Sequence, residues 1–193
     1  MTHLILFSAE VTPSGELSAL DRVPRPYLLN KAVTAATKYG RKLLFCIGGN
    51  GRSAGFGPVV KSAAARKTFI SGLVKLCKDK KFHGIDYNWE YPGYAFGRGY
   101  DEAQTKEDYA GLAKLLAETR TAFEEHSLVL TMSYYPDGRQ EKLLKEIRAP
   151  AHVHLMHMMS YDQPGAQHSS EPCARWRRQN RRCKEKEPAE DTF

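Results

Sequence analysis

Apolar and polar positions along this chain change their spacing again and again, from alternation or short apolar runs to a three-to-four-residue repeat and back. Residues 4–11, LILFSAEV, read as a strand, and a loop with proline and glycine follows. PYLLNKAVTAATKYG, residues 26–40, predicts a helix with proline in its first turn and glycine near its end. KLLFCIGG, residues 42–49, is an apolar strand closed by glycines. The segment 58–79 predicts one long helix, with Phe69, Leu73, Leu76 and Cys77 on one face. A strand at 84–90 and a long loop at 91–105 come next. A helix at 106–125 carries Tyr109, Leu112, Leu115 and Leu116. The series ends with a strand at 128–135, a short helix at 137–147 and a strand at 153–162. Five strands alternating with four helices imply an α/β fold with a parallel sheet and right-handed crossovers.

The strand at 84–90 departs from its neighbours. In GIDYNWE, Asp86, Asn88 and Glu90 share one face, while Ile85, Tyr87 and Trp89 share the other. Helices covering the sheet would meet the aromatic face, leaving the polar row pointing into a barrel or crevice. Buried carboxylates are costly without partners, so such a row calls for partners or a function. Glu90 stands at the C-terminal end of the strand, where parallel α/β folds place their active sites. The chemistry that suits it is general acid catalysis, with one carboxyl held protonated by its surroundings.

Composition narrows the field. The chain has 193 residues, 41% of them hydrophobic, enough for one domain with a substantial core. No apolar stretch is long enough to cross a bilayer, and MTHLILFSAEV lacks the basic lead-in and cleavage site of a signal peptide. The net charge of +7 is concentrated in the tail, where residues 175–186 hold seven basic side chains and one acid. The remaining surface mixes signs and interleaves no aromatics with a basic face, which argues against nucleic acid as a partner. After Gly165 apolar periodicity ceases, so residues 166–193 are expected to form a basic, low-order tail beside a domain at 1–165. Cys46 and Cys77 read as small buried residues. Cys173 and Cys183 could pair, but their spacing alone does not decide it. No cysteine–histidine spacing suits zinc, and no metal or cofactor is expected. His152 and His154 fall on one face of the last strand and His157 on the other, and all three read as ordinary strand residues. The loop NGRSAGFG lacks the ending of a phosphate-binding loop.

With these residues in view, DYNWEYPG resembles the signature of family 18 glycoside hydrolases, the chitinases and their relatives, which reads Asp-Gly-x-Asp-x-Asp-Trp-Glu-Tyr-Pro. FCIGG, residues 45–49, resembles the family's Ser-x-Gly-Gly strand, and MSYD, residues 159–162, its Met-x-Tyr-Asp strand. The three motifs stand in family order and the resemblance covers residues 2–165. It implies a (β/α)8 barrel in which these five strands are the second through sixth of eight, so the barrel is expected to be incomplete. It further implies a retaining, substrate-assisted reaction in which the substrate's own N-acetyl group attacks the anomeric carbon. Glu90 matches the general acid/base and Asp86 the inner aspartate. Tyr161 matches the tyrosine that helps hold the acetamido group. Tyr91, Asp162, Met159 and Trp89 are expected along the sugar site. The implied partner is chitin or N-acetylglucosamine oligosaccharides, the implied setting extracellular, and the expected state a monomer.

Three positions depart from the family pattern. Asn88 replaces the acid that normally orients the acetamido group and stabilises the cationic intermediate. Its amide oxygen can still accept an N–H, but the negative charge is gone. Cys46 replaces a serine that supports the inner aspartate, and His83 replaces the motif's first aspartate. Two alternatives to a chitinase therefore stay open: a chitin-binding, lectin-like protein with little turnover, and an inactive fragment.

Overall fold

The structure is a computed structural model that describes residues 1–90, 92–95 and 99–160. Its elements run β1 (His3–Val11), β2 (Leu17–Ser18), α1 (Pro26–Lys38), β3 (Lys42–Gly48), α2 (Phe56–Lys61), α3 (Ala63–Lys80), β4 (Gly84–Asn88), β5 (Tyr94–Ala95), β6 (Gly99–Tyr100), α4 (Glu102–Glu124), β7 (Val129–Tyr134), α5 (Arg139–Glu146) and β8 (Leu155–Met158). The main sheet has the order β2-β1-β3-β4-β7-β8. Its five long strands are all parallel, and β2 pairs antiparallel with β1. Each parallel strand lies beside the next one in the chain, with no reversal of order. That sequential winding belongs to a barrel rather than to a doubly wound sheet. The predicted α/β class, parallel sheet and five strands all hold.

The core lies between the sheet and its helices. α3 contributes Phe69, Ile70, Leu73, Leu76 and Cys77, and α4 contributes Tyr109, Leu112, Leu115, Leu116 and Phe123. Both follow the helical repeat read from the sequence. α2 and α4 approach closely at Gly111, where a Cβ would stand 2.6 Å from the Val60 side chain. Arg66 fastens the three helices together. Its guanidinium donates to both carboxylate oxygens of Glu118 and to the Val60 carbonyl, with the Arg66 side chain only 8% exposed.

Some boundaries differ from the sequence reading. The expected helix at 58–79 is two helices, because Ser62 takes an extended conformation and caps α3 by accepting the Ala65 N–H. The helix expected to begin at 106 begins at Glu102, since Asp101 accepts the Gln104 N–H as an N-cap. The preceding loop contains the small hairpin β5–β6. The last strand is short, and His152 and His154 precede it. Residues 1–159 form one compact unit. The predicted boundary at 165, the tail, Cys173 and Cys183 lie outside the described residues. Among the described residues no helix is long and apolar enough to cross a membrane.

Candidate active site

Strand register builds the site. Cys46 on β3 lies opposite Asp86 on β4, and Asp86 lies opposite Thr131 on β7. One step further along, Ser133 on β7 is opposite His157 on β8. Parallel strands in register put these side chains on the face away from the helices, so they converge.

Asp86 is the centre of the cluster and is 2% exposed. Thr131 Oγ1 donates to its Oδ1 at 2.6 Å, and Ser133 Oγ donates to its Oδ2 at 3.1 Å. The Cys46 thiol makes a third hydrogen bond to it. Burial pushes the Asp86 carboxyl above the ordinary aspartate value, while these donors and nearby His157 pull it back. Burial also pushes the Cys46 thiol far up, and Asp86 adds to the shift, so Cys46 is a neutral donor and no nucleophile. The structure thus refines the view of Cys46 as a small buried residue. Its thiol faces the carboxylate and donates to it, beside two hydroxyls from β7.

Asn88 ends β4, 8% exposed. Its backbone carbonyl accepts the Gly49 N–H at 2.7 Å and the Ser53 hydroxyl at 3.1 Å. Gly49 can meet it because φ is +105° there, a conformation that favours glycine. The amide of Asn88 hydrogen-bonds the Glu90 carboxylate, whereas its Oδ1 is buried and unpartnered. Glu90 is partly exposed. Burial raises its carboxyl above the usual range, opposed by the Asn88 side chain and the Asn50 backbone. A carboxyl that keeps its proton upward in pH is what a general acid needs.

A cavity of about 290 Å³ adjoins Glu90, bordered by Asn50, Ser53, Trp89, Tyr94 and Asp108. It is at the small end for a ligand pocket. Asp108, 2% exposed, accepts the Gly93 N–H at 3.0 Å and shapes the loop beneath the cavity. The Gly-rich loop after β3 lines this cleft.

The other face of β4 packs against the helices. Tyr87 stacks on Phe69 and donates or accepts a hydrogen bond with Thr119 at 2.9 Å. Trp89 stacks on Phe56, with centroids 5.3 Å apart and planes 8° from parallel. Trp89 was expected along the sugar site; it reaches the cavity with its border while its ring serves the core. Met159, expected on the same wall, is buried, and its N–H donates to the Tyr134 carbonyl. Tyr91, Tyr161 and Asp162 lie outside the described residues. His83 accepts the Leu43 N–H through Nδ1 and joins strand ends, so its place is peripheral to the site.

Sequence reasoning missed Thr131, Ser133 and His157. Thr131 and Ser133 alternate within an apolar strand, LTMSYY, and that period-two polarity was the available signal. His157 was read as an ordinary strand residue. In the structure its Nε2 lies 3.6 Å from Asp86 Oδ1. His154 instead accepts the Leu130 N–H through Nδ1 at 3.1 Å and belongs to the sheet.

Comparison with known proteins agrees with this architecture. The sequence matches the family described as glycosyl hydrolases family 18 over residues 1–183. It is 29% identical over 130 residues to probable chitinase 2 of Drosophila melanogaster, covering 65% of this chain and 25% of that protein. To chitinase 1 of Aphanocladium album it is 41% identical over 73 residues, covering 38% of this chain and 16% of the other. Among solved structures, the Ostrinia furnacalis group IV chitinase in complex with allosamidin superposes with a TM-score of 0.70 at 23% identity, over 83% of this chain and 43% of that one. A chitinase from Rhizomucor miehei superposes with a TM-score of 0.62 at 25% identity, over 84% and 51%. The chain spans a quarter or less of the length of these two curated relatives. Its sheet is part of the (β/α)8 barrel of these chitinases, and the chain belongs to the glycosyl hydrolases of family 18.

Proposed function

We propose that this chain is a chitinase-type hydrolase of β-1,4 N-acetylglucosamine linkages, acting with retention through the substrate's own acetamido group and with Glu90 as proton donor. The observation that carries the reading is Glu90 two residues past the C-terminal end of β4, its carboxyl raised by burial, beside a cavity and in hydrogen-bond contact with Asn88. Protonated Glu90 would give its proton to the leaving oxygen. The N-acetyl carbonyl oxygen would then close on the anomeric carbon to form an oxazolinium ion. Glu90, now a carboxylate, would take a proton from the water that opens it. The unpartnered Oδ1 of Asn88 is an acceptor suited to the acetamido N–H. An extracellular setting and chitin oligosaccharides as partner belong to the same proposal. A relative from Ostrinia furnacalis has been solved with an N-acetylglucosamine oligomer bound.

A second reading has its own observation. Asn88 puts no negative charge beside the cationic intermediate, which favours binding over turnover. Assay on a fluorogenic N-acetylglucosamine oligomer separates the two. Turnover that falls about a hundredfold or more in Glu90→Gln supports the hydrolase. Turnover unchanged in that variant removes Glu90 from its role. No turnover, with saturable binding of the oligomer, leaves the lectin-like reading.

A further inference from the structure

Asp86 is held by neutral donors on three sides: the Thr131 hydroxyl, the Ser133 hydroxyl and the Cys46 thiol. These donors favour the ionised carboxylate, but burial outweighs them and biases Asp86 toward keeping its proton. Its neighbour on the same strand face is Asn88, an amide with no proton to share across the working pH range. The charge balance of Asp86 must therefore come from elsewhere.

Among the described residues, the ionisable groups around it are few. Glu90, on the same strand face, is an acid and can only oppose a second negative charge. Arg52 is engaged with the Ser8 hydroxyl at 3.1 Å and lies over the Phe7 ring. His3, at the start of β1, feels the charges of His157, Lys42 and His154, and His154 is hydrogen-bonded to the Leu130 backbone. His157 differs from all of these. Its Nε2 is buried without a hydrogen-bond partner, 3.6 Å from Asp86 Oδ1 and a small side-chain shift from a hydrogen bond. It projects from β8, two strands away from the carboxylate it faces.

We propose that His157 is a positioning residue that holds Asp86 in its ionised form, so that the negative charge on the inner face of β4 is kept by a histidine–aspartate pair across the sheet instead of by two acids in one strand. The proposal rests on the hydrolase reading, in which a cationic intermediate forms against this face. With an amide at position 88, Asp86 is the carboxylate left to stabilise that cation, and it can do so only while ionised. His157 attracts that charge and keeps it available to lower pH than burial alone would allow. The sign follows directly. Without the imidazole, Asp86 keeps its proton to higher pH, and the acidic limb of the rate profile moves upward.

The experiment follows Asp86 itself, by NMR titration of the full chain labelled at the aspartate carboxyl carbon, in the parent and in His157→Asn. The Asp86 midpoint is expected to rise by about one pH unit in the variant, a tenfold gain in proton affinity. The acidic limb of kcat/KM on the fluorogenic oligomer should move with it, while KM stays unchanged. A midpoint unmoved by the substitution overturns the pairing, since a merely structural histidine would leave it in place. Should His157→Asn fail to fold, His157→Gln keeps a polar side chain and gives the same reading. A parent that cleaves nothing at any pH sinks the hydrolase proposal, and the carboxyl titration still decides the pair.

Discussion

The two faces of β4 solve opposite problems with the same five residues of backbone. Outward, Tyr87 and the Trp89 that follows the strand pack against Phe56, Phe69 and Thr119, and Ile85 is buried in the same core, so the helices grip the strand by buried area and ring contacts. Inward, Asp86 and Asn88 are just as buried, yet they are polar and only partly satisfied. The outward face fixes where the strand sits. The inward face takes advantage of that rigidity to keep Asp86, Asn88 and, just past the strand, Glu90 in a row. A site of this kind carries unfavourable burial that the opposite face must offset.

This contrast can be broken from the outside first. Tyr87→Ala removes a fully buried ring from between Phe56 and Phe69. It should destabilise the fold by about 3–5 kcal/mol in urea denaturation. A loss under 1 kcal/mol would mean that the outer face does not anchor the strand. On the inner face, Asn88→Asp restores a charge beside the intermediate and should raise kcat by about tenfold or more. An unchanged kcat would remove electrostatic support at position 88 from the argument. The pH profile sharpens the comparison further. Because burial raises the Glu90 carboxyl, the proton-donating form persists above the ordinary glutamate range, and kcat should fall as pH rises through that raised value. A rate that climbs steadily into alkaline pH contradicts Glu90 as the acid. The smallest effect belongs to Tyr87→Phe. It removes the hydrogen bond to Thr119 but keeps the ring, and should cost about 1 kcal/mol with no change in kcat.

Most of this division was legible in GIDYNWE alone, because alternation along a strand is a local property and each face announces its partners by polarity. The break at Ser62 was not. PVVKSAAARKTF contains only helix-compatible residues after its proline, and serine, though favoured at an N-cap, is tolerated inside a helix too, so the local sequence does not decide between one helix and two. The start of α4 was misplaced for a related reason. Asp101 caps it, but the hairpin β5–β6 that brings the chain there depends on pairing between residues several positions apart. His157 was the most instructive miss. Its meaning depends on the register of β8 against β7 and of β7 against β4, which is set by the packed sheet and not by any neighbouring residue. The same holds for Thr131, which looks like an ordinary strand threonine until Asp86 stands opposite.

The seat of Asn88 has a further consequence in the language of the genetic code. Its backbone is pinned by Gly49 and Ser53, contacts that ignore the side chain, and an aspartate would occupy the same volume. Codons for asparagine and aspartate differ in their first base alone. One nucleotide therefore separates this chain from a fully acidic row, a step within reach of a single point mutation in a natural population.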